Sequence, residues 1–165
     1  MKSSRSLVDK LFGEVLQTER SAARHSTLEG ERLGPGAPAD ALFAVAEHAS
    51  RAERELASMA EQRGKEGSKL GLAVGTLFSM GRNGMADLLL SMQASYRGTL
   101  LGMRHGYDAI TLFRFAAVAE EDAELTHWCD RWLADRGPLI QAAADALSWF
   151  AAHPDRALQN AKKNT

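Results

Sequence analysis

The chain has 165 residues, a formal net charge of −1 and a single cysteine. Its length predicts one domain with its own core, and near-neutral charge with mixed basic and acidic residues argues against nucleic-acid binding. A lone cysteine excludes an intrachain disulfide, which suits a reducing cytoplasm. The N-terminal residues lack the apolar run of a secretory signal, and no stretch approaches the ~20 apolar residues that span a bilayer. We therefore expect a cytoplasmic protein with no membrane partner.

Apolar residues recur three and four positions apart through most of the chain, which is typical of amphipathic helices. A turn rich in glycine and proline separates the first two helices, and an acidic turn separates the last two. The sequence thus predicts an all-α fold, with residues 1–154 forming a helical bundle and 155–165 a polar tail that frays. The predicted helices cover about Ser4 to Arg32, about Pro38 to Arg63, and two segments within Met85 to Ala152 that meet near Glu120 to Asp122.

The third predicted helix is apolar on two sides, so we expect it to be the most buried. Its first apolar side is a seam that a neighbouring helix would cover, and two polar residues, His105 and Asp108, interrupt it. The members of this seam are Gly98, Leu101, His105, Asp108, Leu112, Phe115 and Ala119. The second side consists of Leu89, Met92, Tyr96, Leu100, Met103, Tyr107 and Ile110.

Two breaks in the helical pattern affect the topology. Residues 64–84 contain two glycine-rich segments and are too long for a simple turn, which indicates a crossover along the bundle. Gly137 and Pro138 are expected to kink or split the fourth helix, because proline removes a backbone hydrogen bond.

Five ionisable residues fall near mid-height on apolar or flanking positions of the four helices. They are Glu19, His48, His105, Asp108 and Asp135. Burying such groups costs several kcal/mol each unless they are paired or bind a metal. Two explanations remain open: a site for iron or manganese, or an ion network completed by arginines such as Arg51, Arg104 or Arg131.

This arrangement resembles the ferritin-like superfamily, particularly its small bacterial stress-associated members. The resemblance covers about residues 4–150, and it implies an up-down-down-up four-helix bundle with a crossover between helices 2 and 3. It also implies a dinuclear metal centre, often in a dimer or larger assembly. Glu19 matches the first-helix ligand, whereas the second helix offers only Glu47 and His48, which are adjacent and not spaced as Glu-x-x-His. The literal Glu-x-x-His of Glu124 to His127 lies close to a loop, at the wrong level.

The leading hypothesis is a non-standard member whose five polar residues bind iron or manganese or have lost that ability. A working centre would react with oxygen or peroxide, its carboxylates bridging the metals and its imidazoles terminal. The alternative is a non-catalytic helical interaction module, homodimeric or bound to another protein, in which the cluster only sets the helix register.

Other residues suggest further functions. A small-molecule cavity lined by Tyr96, Met103, Tyr107 and Trp132 is a third hypothesis. Residues 139–150, with Trp149 and Phe150, are predicted to bury an exposed face in a second subunit. Cys129 is interpreted as a small buried hydrophobe and not as a nucleophile.

Overall fold

The computed structural model describes residues 6–64 and 90–161. Four of the helices in these residues are long, which confirms the all-α prediction for the described part of the chain, and none of them is long and apolar enough to cross a membrane. The predicted crossover at 64–84 falls almost wholly outside the described residues. The helices are α1 Leu7–Leu33, α2 Ala37–Gln62, α3 Met92–Ala119, α4 Ala123–Asp145, α5 Leu147–Ala152 and α6 Pro154–Ala157.

Glycines make the turn between α1 and α2 possible. Gly34 and Gly36 have φ angles of 71° and 148°, which residues other than glycine rarely adopt. Pro38 lies in the first turn of α2, where its missing N–H costs nothing. The predicted turn is therefore confirmed, and its chemistry explains why the chain reverses here.

Asp122 organises the turn between α3 and α4. Its carboxylate accepts a hydrogen bond from the backbone N–H of Leu125 at 3.0 Å and so caps α4. The guanidinium of Arg63, just beyond the end of α2, donates to both Asp122 oxygens at 2.5 and 3.2 Å. The acidic turn predicted from the sequence thus caps one helix and holds another.

Replacing Asp122 with alanine should lower the free energy of unfolding by about 1–2 kcal/mol, because both the cap and the ion pair are lost. Glu124→Ala is the matched control, since Glu124 makes one exposed contact with Arg63 at 3.1 Å. We expect that change to cost only a few tenths of a kcal/mol. Urea denaturation measures both; equal losses would contradict a capping role.

Contacts at the two ends of α1 show its direction relative to α3. The backbone N–H of Val8 donates to Glu120 at 3.3 Å, so the start of α1 lies beside the end of α3. At the other end, the hydroxyl of Ser95 donates to buried Glu29 at 3.1 Å. The two helices are therefore antiparallel.

The same reasoning relates α2 to α4. Arg63 pairs with Asp122 at one end, and His48 contacts Arg136 further along. These helices are also antiparallel. A short turn also joins the end of α1 to the start of α2.

Within residues 6–64 and 90–161, the core consists of two apolar clusters, one toward each end of the helices. The first contains, among others, Phe12, Val15, Leu56, Ile110, Phe113, Trp128 and Trp132. The second contains, among others, Leu42, Val45, Tyr96, Leu100, Met103, Ile140 and Phe150. The two clusters are separated between Val45 and Ala52 on α2, between Met103 and Ile110 on α3, and between Trp132 and Ile140 on α4. We call this level of the helices the middle layer.

The buried side of α3 corresponds to the second apolar set of the sequence and not to the seam. Tyr96, Met103 and Ile110 are buried, whereas Leu101 and Phe115 of the seam are 69% and 60% exposed. The expectation that a neighbouring helix covers the seam is therefore wrong within the described residues. A helix with two apolar sides can bury either one, and the packing of α1 and α4 selects the second.

Two local expectations concern the region near the C-terminus. Helix α4 continues through Pro138 to Asp145, so the predicted split does not occur there. Residues 155–161 of the polar tail contact the bundle: the N–H of Met92 donates to the carbonyl of Gln159, and that of Ala161 donates to the carbonyl of Leu90. These backbone bonds join the end of the described chain to the start of α3.

Candidate functional site

Arg136 lies at the centre of the middle layer and is only 1% exposed. Its Nη2 donates to Oε2 of Glu19 on α1 at 2.5 Å, and its Nε donates to Nδ1 of His48 on α2 at 3.0 Å. The guanidinium carbon also lies 4.6 Å from the ring centroid of Trp132. One arginine on α4 therefore connects three helices through two hydrogen bonds and a cation–π contact.

The positions of these residues along their helices explain why they meet. His48 follows Val45 of one apolar cluster and precedes Ala52 of the other, and Arg136 lies likewise between Trp132 and Ile140. On α3 the corresponding residue is a glycine, Gly106. A Cβ there would lie 3.2 Å from Cγ2 of Thr18, so the absence of a side chain lets α3 approach α1 closely.

Burial and pairing act in opposite directions on Glu19 and Arg136. Burial raises the pKa of Glu19, and the adjacent guanidinium lowers it in part. Burial lowers the pKa of Arg136, and the carboxylate of Glu19 raises it in part. Each charge is tolerated in the core because the other is present, which makes the pair sensitive to loss of either partner.

His48 is held in its neutral form. Burial is the largest cause that lowers its pKa to about 4, and the positive charges of Arg136 and Arg51 add to the effect against the opposing charge of Asp135. Because Nδ1 accepts the hydrogen bond from Arg136, the proton of the neutral imidazole lies on Nε2. That nitrogen is 3.9 Å from Oδ2 of Asp135, beyond hydrogen-bond range.

One donor and one acceptor in this layer have no hydrogen-bond partner within the described residues. They are the indole nitrogen of Trp132 and Oε1 of Glu19, both buried. The neighbouring Trp132 nevertheless lowers the pKa of Glu19 in part, against the larger effect of burial. Trp132 therefore stabilises the ionised carboxylate from the same helix as Arg136.

A small polar cavity lies beside His48, between α2 and α4. Its volume is about 40 Å³, which suits a water molecule or two and is far below the several hundred Å³ of pockets for organic ligands. Two arginines and two acids line it, so their formal charges balance. The lining residues are His48, Arg51, Ala52, Glu55, Trp128, Arg131, Trp132 and Asp135.

The structure brings together only part of the predicted cluster. Glu19 and His48 are both buried and share Arg136, while Asp135 lies at the rim with its side chain 64% exposed. His105 and Asp108 are exposed on the outer side of α3. The expectation that these last two face inward is wrong, because α3 buries the side that carries Met103, Gly106 and Ile110.

Arg136 is the residue that sequence reasoning missed. After Trp132, helical spacing allows either Asp135 and Leu139 or Arg136 and Ile140 to lie on the buried side of α4. In the structure, Arg136 and Ile140 are the buried pair. A large cation at a core spacing, one turn after a tryptophan, was the available signal. The predicted arginines Arg51 and Arg131 instead line the cavity.

The donors present do not fit a dinuclear metal centre. Within residues 6–64 and 90–161, no three His, Cys, Asp or Glu side chains are grouped as metal ligands. The guanidinium of Arg136 occupies the space between Glu19 and His48, and it offers donors only. Iron or manganese binding by this chain stays a prediction, with fewer ligands in the core than the sequence suggested.

The other sequence hypotheses can be placed as well. Cys129 is fully buried, and burial raises its pKa to about 12, as expected for an inert core thiol.

Tyr96 packs in the core and donates its hydroxyl to the carbonyl of Ala143 at 2.7 Å. Phe150 is buried and Trp149 packs against the same cluster. Trp149 and Phe150, expected on the face for a second subunit, therefore cover the chain's own core. Burial of the exposed side of residues 139–150 in a second subunit stays a prediction.

No family model, curated protein or solved structure matches this chain. The resemblance to the ferritin-like superfamily therefore stays a prediction from the sequence.

Proposed function

We propose that this protein is a non-catalytic helical interaction module, a four-helix bundle of ferritin-like topology whose core is held by an ion network in place of a metal. The directions of the four long helices, up-down-down-up, support the topology. The observation that carries the proposal is the guanidinium of Arg136, which bonds Glu19 and His48 where the metal would otherwise be expected. The cation supplied by this arginine compensates the buried carboxylate, as a metal ion would.

An interaction role is supported by the outer side of α3. Leu101, Leu112, Phe115 and Val118 are all large apolar residues that are about half or more exposed. Several exposed apolar side chains on one helix are typical of a surface that binds another protein. The small, charge-balanced cavity beside His48, in contrast, offers no room for an organic substrate.

Metal loading tests the proposal directly. The protein, purified without an affinity tag, is loaded anaerobically with iron(II) or manganese(II), desalted and subjected to elemental analysis. We expect far less than one ion per chain, and the same result for Glu19→Gln. Stoichiometric metal that is lost in Glu19→Gln or in His48→Asn would overturn the proposal and favour the metal-binding hypothesis.

A further inference from the structure

The outer face of α3 has a symmetric arrangement of residues. Its six members, which we call the α3 stripe, are Gly98, Leu101, His105, Asp108, Leu112 and Phe115. They follow one another at steps of three, four, three, four and three, so the spacing is the same when read in either direction. All six residues are exposed.

We propose that the α3 stripe binds a second copy of this chain, with the two α3 helices antiparallel about a two-fold axis between residues 106 and 107. The inference rests on the proposed function, since it names the partner of the interaction module. An isologous contact requires that a surface be complementary to itself after a two-fold rotation. The stripe meets this requirement in charge, in hydrophobicity and in size.

The charge complementarity lies at the centre. The proposed axis brings His105 opposite Asp108 of the partner subunit, and Asp108 opposite His105 of the partner subunit. An imidazole N–H donates to a carboxylate, and the two pairs are equivalent by symmetry. A parallel pairing in the same register would place each residue beside its own copy, so two carboxylates would face each other. Antiparallel pairing is thus the arrangement that the charges favour.

Apolar and small residues flank these pairs. Leu101 lies opposite Leu112 of the partner subunit, and Phe115 lies opposite Gly98 of the partner subunit. Leu101 and Phe115 are 69% and 60% exposed, so both have apolar surface to bury. At Gly98, no atom of the described residues lies within 4 Å of the position that a Cβ would take. A phenyl ring can occupy that space, as a large residue does when it packs against a small one.

The size of the contact sets the expected strength. The stripe extends along about 26 Å of helix, at 1.5 Å per residue. One helix from each chain buries on the order of 1,000 Å² in total, at the small end of specific interfaces. The dimer should therefore dissociate on dilution in the micromolar range.

The first test is sedimentation of wild-type protein over a range from micromolar to hundreds of micromolar. We expect a reversible monomer–dimer equilibrium, and about a 30-fold or larger rise in Kd for Leu101→Asp, as for an apolar contact that becomes buried in the dimer. Leu158→Asp is the matched control, because Leu158 is 71% exposed and lies outside the stripe. Equal effects of the two substitutions would overturn the proposal.

The charge pairs have their own test. Asp108→Lys should weaken the dimer by about ten-fold, because it places a cation opposite His105 of the partner subunit. The double variant His105→Asp with Asp108→His exchanges the two residues and restores the pairing across the axis, so its Kd should return toward that of wild type. Failure of this exchange to restore association would contradict the antiparallel register.

Cross-linking tests the register directly. Leu101→Cys and Leu112→Cys are made separately, and only a mixture of the two variants should form a disulfide-linked dimer on mild oxidation. Either variant alone has its cysteines far apart across the axis and should stay unlinked. Native Cys129 is fully buried and does not interfere. Efficient linkage of Leu101→Cys with itself would overturn the register.

The other occupant to consider is the chain's own segment 65–89. A wild-type protein that stays monomeric at all concentrations, and whose Tm falls in Leu101→Asp but not in Leu158→Asp, would assign the stripe to that segment and overturn the dimer. Such a result with metal-free protein leaves the proposed function standing. Stoichiometric metal overturns the proposed function whatever the mass in solution, so the two failures are distinguishable.

Discussion

Replacing Arg136 with methionine is expected to lower the free energy of unfolding by about 3–5 kcal/mol, the range for breaking a buried ion pair. The substitution keeps an unbranched side chain of similar length but leaves the carboxylate of Glu19 buried without its 2.5 Å partner. Burial then raises the pKa of Glu19 without opposition from the guanidinium. Urea denaturation at pH 7 measures the loss, and Arg131→Met, an exposed arginine on the same helix, should change stability by less than about 0.5 kcal/mol.

A double-mutant cycle separates pairing from simple loss of packing. Glu19→Leu alone strands a buried cation, but combined with Arg136→Met it leaves an apolar layer between two apolar clusters. Such replacements are often neutral or stabilising relative to the ion pair. The double variant should therefore regain at least half of the stability lost by Arg136→Met. Strictly additive losses would show that Glu19 and Arg136 do not compensate each other.

The second large effect concerns pH. The pKa of His48 is lowered to about 4 in the folded protein from an ordinary value of 6.5. Between these two values the unfolded chain takes up a proton that the folded chain does not, so stability is present above pH 6.5 and is lost as the pH falls toward 4. The difference corresponds to about 3 kcal/mol, at 1.36 kcal/mol per pH unit.

His48→Asn isolates this contribution. The amide oxygen of asparagine can accept the hydrogen bond that Nδ1 accepts from Arg136, but asparagine does not titrate. Denaturation at pH 7 and at pH 4.5 should show a smaller loss of stability in the variant than in wild type. The comparison is needed because Glu19, with its raised pKa, acts in the opposite sense: its contribution to stability is present at low pH and is lost as pH rises through its folded pKa. Parallel pH profiles of variant and wild type would show that His48 titrates normally.

These two effects describe one polar layer that joins three helices. Arg136 has hydrogen-bond partners on α1 and α2, while Trp132 stacks on it from its own helix. A polar layer between two apolar clusters penalises any shift of one helix along another, because such a shift would separate buried charges from their partners. We expect the layer to select one helix register, which is the use best attested for buried polar groups in helical bundles.

The sequence predicted the part of the candidate site on α1 and α2 better than the part on α3 and α4. Glu19 and His48 were identified correctly as near one level, because α1 and α2 are joined by a short turn whose glycines are visible in the sequence. His105, Asp108 and Arg136 were not, because the choice between adjacent residues on a helix turns a side chain by about 100°. On α3 both candidate sides were apolar, and on α4 both Asp135 and Arg136 fit an inward spacing.

The sequence by itself determined the elements of this protein. The spacing of apolar residues, the capping residues and the turn glycines all act between residues that are close in the chain. The long helices, the Gly34 to Gly36 turn and the Asp122 cap are therefore encoded locally. Which side of each helix is buried was decided only by tertiary packing. Burial of Tyr96 and Met103 left Leu101 and Phe115 exposed, and it was the meeting of α1, α2 and α4 that placed Arg136 between Glu19 and His48. The free energy of such contacts depends on several helices together, and no single segment of the sequence contains it.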